Sequence, residues 1–110
     1  MMGNPWRGDV AIVLNGQRRV MRLTLGALAE LEAGLREDSL VALVERFEAG
    51  RFRARDVLAL LVAGLRGGGW AGSAVDLASA EIGGGPMEAS RAAAELLARS
   101  FALPEDGHGV

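Results

Sequence analysis

At 110 residues the chain is sized for one domain, and the half of it that is hydrophobic is ample for one core. Only 5% of it is aromatic, so packing falls to Leu, Val and Ala, which suits helix on helix better than a sandwich. A net charge of −2, with twelve Arg and no Lys spread among fourteen acids, argues against the clustered positive charge on which nucleic-acid binding rests.

The 24% of charged residues is ordinary for a globular chain and argues against overall disorder. The exclusive use of Arg reads as coding bias, not as a set of phosphate forks. Without Cys there is no disulfide, no thiol nucleophile and no sulfur ligand for zinc. Residues 1–10 contain Asp9 and lack an apolar core, so they do not read as a signal peptide. The longest apolar run, Val57 to Leu65, is about half of the roughly 20 residues that a membrane span needs. The expectation is a cytoplasmic protein that does not engage a membrane.

Residues 10–24 read as a β-hairpin, with Val10, Ile12 and Leu14 alternating along the first strand. Asn15-Gly16 signals a turn, usually of two residues. That register pairs Leu14 with Gln17 and Ile12 with Arg19, mixing apolar and polar residues on one face. A four-residue loop, Asn15 to Arg18, pairs Ile12 with Met21 and Val10 with Leu23 and gathers five apolar residues on one side. The longer loop is the expected one.

At Thr24 the period becomes helical. Thr24 can accept the free N–H groups of a first turn, and Leu28, Leu31 and Leu35 follow at helical spacing to an end near residue 36. Ser39 caps a second helix carrying Leu40, Leu43, Val44 and Phe47, closed by Gly50. A third helix is expected from about Ala54 to Arg66, with Asp56 at its positive end. It is apolar nearly all round, which places it at the centre of the domain or under a partner. Gly67-Gly68-Gly69 stops it. Ser73 and Asp76 form a capping box for a short fourth helix reaching about Ile82. Gly83-Gly84-Gly85 and then Pro86 introduce a fifth, running to about Ala102 with charged residues along its outer face.

The fold class expected is α+β, mostly α: a two-stranded antiparallel hairpin packed on four to five helices. Residues 9–103 form the single domain, between a flexible N-terminus (1–8) and a disordered acidic tail (104–110). Ile12, Leu14, Met21, Leu23, Leu28, Leu31, Leu43, Phe47, Leu58, Leu61, Leu65, Leu97 and Phe101 are expected to be buried.

No catalytic residue, cofactor site or metal site emerges. His108 lies between two glycines of the tail, with no frame to hold it. Glu30 and Glu32 point different ways on a helix, and Glu45 with Glu48 reads as a solvated face. The glycine triplets each follow a helix and lack the Lys of a phosphate loop, so they read as helix punctuation. Arg51, Arg53 and Arg55 sit where a helix-turn-helix would turn, but the helix after them is apolar where a recognition helix is polar.

Partner binding is the remaining candidate function. Val57, Leu58, Leu61 and Leu65 share one side of the third helix, which must face the core. Leu60 and Val62 point elsewhere and Trp70 lies just past the helix end. Either some of these three residues form an exposed apolar patch for a second copy or another chain, or the fourth and fifth helices cover all three. Trp6, ahead of the hairpin, reads as structural or disordered.

The order of signals carries a resemblance. A hairpin leads into Arg22-Leu23-Thr24-Leu25-Gly26-Ala27-Leu28-Ala29-Glu30-Leu31-Glu32; Ser39-Leu40 follows with its Phe-containing helix. Then come Asp56-Val57-Leu58, Ala63-Gly64-Leu65-Arg66-Gly67-Gly68-Gly69, and an alanine-rich helix ending in Leu97 and Phe101. This resembles, over residues 8–103, the small tail proteins of gene transfer agents and siphophage-like tails grouped as tail assembly chaperones. The resemblance implies a non-enzymatic protein that covers the hydrophobic tape measure protein during tail assembly, with the tail tube protein and a second copy of itself as further partners. It supplies no catalytic residue, and the charge balance already argues against a nucleic-acid partner. The alternatives are a structural component of the tail tube, for which one hairpin is a small sheet, and a small DNA-binding regulator.

Overall fold

A computed structural model describes residues 9–35 and 39–101; the expected flexible N-terminus and acidic tail lie outside the described residues. The elements in order are β1 (Val10–Leu14), β2 (Gln17–Met21), α1 (Leu25–Leu35), α2 (Leu40–Glu48), α3 (Ala54–Gly67), α4 (Ala74–Ala78) and α5 (Gly85–Phe101). The fold is α+β and mostly α, a hairpin packed on five helices.

The hairpin takes the shorter loop. Val10 pairs with Met21, Ile12 with Arg19 and Leu14 with Gln17. Asn15 and Gly16 both adopt positive φ, 51° and 81°, the geometry of a two-residue turn that follows the twist of the strands. The longer loop was expected because it gathers apolar residues from both strands, but the core does not require that. Val10, Ile12, Leu14 and Met21 are buried, while Arg19 and Gln17 stay exposed and Arg19 Nη2 donates to Gln17 Oε1 at 3.2 Å. Turn chemistry outweighed facial purity.

The outer edge of β1 is covered, and the chain leaving β2 is tied to α3. Beside β1, the Asn15 N–H donates to the Glu81 carbonyl (2.8 Å), the Gly83 N–H donates to the Val13 carbonyl (2.9 Å), and Leu14 bridges to Ile82. These bonds correct the expected end of α4. The helix stops at Ala78, and residues 81–83 give their backbone groups to β1 instead of to a further helical turn. Beyond β2, the Arg22 N–H donates to the Gly64 carbonyl of α3 at 2.8 Å.

That second crossing explains the Gly64-Leu65-Arg66-Gly67-Gly68-Gly69 stretch. A Cβ on Gly67 would lie 1.9 Å from the Arg22 carbonyl oxygen, and one on Gly68 would lie 2.0 Å from that of Val20. Glycine is required here by close backbone approach as much as by helix termination. Termination is still present. Gly69 (φ 105°) turns the chain, and the Trp70 and Gly69 N–H groups close back on the Leu65 and Arg66 carbonyls.

The expected caps form. The Ala27 N–H donates to Thr24 Oγ1 and the Ala42 N–H to Ser39 Oγ, each at 3.0 Å. The Ser73–Asp76 capping box starts α4, and Gly50 (φ 71°) ends α2. Gly85 opens α5 in left-handed backbone (φ 72°), and Pro86 follows it.

α3 is central, packing on α1, α4, α5 and β2. Its buried stripe is Val57, Leu60, Leu61, Gly64 and Leu65, the regular spacing of three and four residues. Leu60 therefore belongs to the core and Leu58 sits on its flank, half-buried, the reverse of the expected assignment. Of the expected core, Ile12, Leu14, Met21, Leu31, Leu43, Leu61, Leu65 and Leu97 are buried. Leu23, Leu28, Phe47 and Leu58 are half-buried, and Phe101, at 43% exposure, is not core.

Candidate partner-binding surface

α2 is held to the domain mainly by side chains. Leu43 is fully buried, and Phe47 stacks on Phe52 with ring centroids 4.5 Å apart. Arg46 Nε and Nη2 reach the two carboxylate oxygens of Asp56 at 3.0 and 2.9 Å, and the Arg53 N–H donates to the same carboxylate at 2.8 Å. Burial alone would raise the Asp56 carboxyl, but Arg46, with help from the Arg53 amide, holds it below the ordinary aspartate value. A residue expected only to meet the helix dipole thus fastens α2 to α3.

Such an attachment leaves α2 standing off from α5. Between them lies an open groove of about 410 Å³ lined by Val44, Phe47, Glu48, Ala94, Leu97, Ala98 and Phe101. Phe47 and Phe101 were expected inside the core; here they form part of a surface channel. Beside the groove, Arg91 is paired with Glu88 and Glu95, and Arg99 with Glu95. Both carboxyls are held below their ordinary range, in each case chiefly by the Arg91 hydrogen bond.

The three residues weighed for an exposed patch differ in burial. Leu60 has no exposure, because α3 turns it inward. Val62 is half-buried in a shallow groove with Leu31 and Leu58 between α1 and α3. Trp70 is half-buried after the turn that ends α3, beside Ala27 and Arg66. Glu30 lines both of these hollows and pairs with Arg66 at 3.0 Å. Val62 and Trp70 therefore lie along one seam, with an ion pair at its middle.

A further apolar cavity of about 550 Å³ opens between α3, α4 and α5, lined by residues such as Leu58, Leu77, Ile82 and Pro86. Among the described residues no group of three His, Cys, Asp or Glu could hold a metal ion. None of their helices is long and apolar enough to cross a membrane.

The surface thus offers grooves and apolar walls between helices. Residues 7–103 match a family described as phage tail tube protein, GTA-gp10. The chain belongs to that family. The match runs across every element of the fold, from the hairpin to the end of α5. No curated protein and no solved structure matches the chain. The family is one of phage tail proteins related to gene transfer agents, and it is not an enzyme family. Its description supports the tail tube alternative better than the tape measure chaperone that the resemblance implied.

The α2–α5 groove was the surface missed from sequence. Its signal was faint but present. Val41, at 66% exposure, and the pair Glu45 and Glu48 mark the side of α2 that leaves the core, and Ala94 and Ala98 give α5 a flat wall.

Proposed function

We propose that this chain is a structural protein of a phage-like tail, built into or onto the tail tube through contacts with neighbouring tail proteins and with copies of itself. The observation that carries this reading is the family match over residues 7–103. The apolar grooves between helices are consistent with it, since such surfaces are what protein partners cover. In this reading the protein is made in the cytoplasm, performs no catalysis and needs no cofactor. Val62 and Trp70, on the α1–α3 seam, are retained as candidate contact residues, and Leu60 is withdrawn.

A second reading, a chaperone that covers the tape measure protein before the tube polymerises, is favoured by one observation. The sheet of the described residues has only two strands, and the outer edge of β1 is already covered, so a wide sheet-to-sheet ring contact has little to start from. The DNA-binding reading is set aside, because α3, which would have to enter a groove of DNA, is the central buried helix.

Fractionating producing cells separates the readings. A tube component is detected by antibody in purified particles. A chaperone travels with unassembled tape measure protein and is absent from particles. A protein found in neither fraction overturns both.

A further inference from the structure

The family match names a tail protein but not the face that meets a partner. We propose that the α2–α5 groove binds an amphipathic helix of another protein, one whose apolar stripe is flanked by Lys or Arg. The inference rests on the reading of this chain as a tail protein that works by contact.

The groove is apolar along its floor, where Phe47 and Leu97 meet Ala94 and Ala98, and Phe101 stands 43% exposed at one end. Val41, 66% exposed, extends the apolar surface of α2 one turn beyond Val44. From Ala94 to Phe101 the α5 wall spans two helical turns, roughly 10–12 Å. That length suits an occupant anchored at positions i, i+3 or i+4, and i+7. An added strand is a poor alternative, since both walls are helices and the outer edge of β1 is already taken by residues 81–83.

The charge at the rim selects the partner's sign. Glu48 lines the groove and Glu45 lies three residues before it on the same exposed side of α2. Neither carboxylate is in an ion pair or side-chain hydrogen bond among the described residues. On the opposite wall the cations Arg91 and Arg99 are already matched by Glu88 and Glu95. The surplus is therefore negative, and a cationic flank is its complement. Residues 102–110, which follow Phe101 directly, carry Glu105 and Asp106 and have the wrong sign for this place.

The test uses the full chain and a fluorescein-labelled synthetic helix of about 18 residues, with Leu at i, i+3, i+4 and i+7 and Lys on both flanks. Two controls carry Glu flanks or the same residues in scrambled order. Fluorescence anisotropy should show the Lys-flanked helix binding at least about tenfold tighter than either control, a difference of about 1.4 kcal/mol. Ala98→Arg, at an exposed position, should weaken binding by at least about tenfold while leaving the thermal melt unchanged. Glu48→Arg should turn the preference toward Glu flanks. Undiminished binding to a folded Ala98→Arg variant, or indifference to flank charge, overturns the proposal. Self-association that Ala98→Arg abolishes in sedimentation assigns the groove to a second copy and also overturns it. A protein present in particles that fails to bind the helix removes the groove alone; helix binding by a protein absent from both cell fractions removes the tail reading.

Discussion

Gly67-Gly68-Gly69 and Gly83-Gly84-Gly85 both lie against the hairpin, the first where the chain leaves β2 and the second beside β1. Each contains a glycine of positive φ, but Gly67 and Gly68 differ from Gly85 in why they are needed. In the first triplet, Gly67 and Gly68 keep ordinary backbone angles and are needed because carbonyl oxygens of Arg22 and Val20 occupy the space of a Cβ. In the second, Gly84 and Gly85 are needed for their positive φ, 87° and 72°, and a Cβ on Gly85 would meet nothing. Identical residues therefore serve steric closeness at Gly67 and Gly68 and conformational freedom at Gly69 and Gly85. The consequence is an unequal tolerance to substitution, because a backbone carbonyl cannot step aside and a turn can absorb some strain.

The largest effect is expected at the first triplet. Gly67→Ala or Gly68→Ala should cost more than about 4 kcal/mol, or abolish folding, because the end of α3 must separate from the chain leaving β2. Denaturant unfolding of the purified variants reads this directly. A loss below about 1 kcal/mol would mean that the crossing is looser than the carbonyl contacts indicate.

Leu61→Ala tests the helix that the first triplet seats. Leu61 is 1% exposed at the centre of α3, and emptying it should cost about 2–5 kcal/mol. A value near zero would place α3 away from the core and dissolve the comparison.

Asp56→Asn loosens α3 at its other end without touching either triplet. Removing one partner of the Arg46 pair should cost about 2–3 kcal/mol at neutral pH, below the fully buried range because Arg46 keeps some exposure. The Asp56 carboxyl is lowered in the folded state, so its contribution is complete above the unfolded value of about 3.9 and fades as pH falls through the lower folded one. Stability of the natural chain and the variant should therefore converge in acid. A gap that persists at low pH would assign the loss to packing instead of charge.

Gly85→Ala is the mildest change. With open space around it, only the left-handed backbone is penalised, at about 1–2 kcal/mol, and Gly85→Asn should recover part of that. A loss as large as that of Gly67→Ala would erase the difference between the triplets.

Local signals were legible wherever the residues involved were close in sequence. Thr24, Ser39 and Ser73 each cap the helix expected of them, because a cap bonds to an amide two or three residues away. The hairpin register was misjudged by weighing facial hydrophobicity above the Asn15-Gly16 turn. Ile82 was misplaced because its hydrogen-bonding partner lies in β1, far back along the chain. The candidate surface was the least legible part. Phe101 and Val44 look like core residues on their own helices, and only the distance between α2 and α5 makes them the lining of a groove.

Composition, periodicity and capping by themselves determined a mostly helical fold and its helix starts, since each depends on short-range geometry or on residue types alone. The tertiary structure decided which side of α3 is inside, why the first glycine triplet admits no side chain, and which apolar residues remain at the surface. Those outcomes depend on which elements approach one another and how closely, and the backbone carbonyls that meet Gly67 and Gly68 come from more than forty residues earlier in the chain.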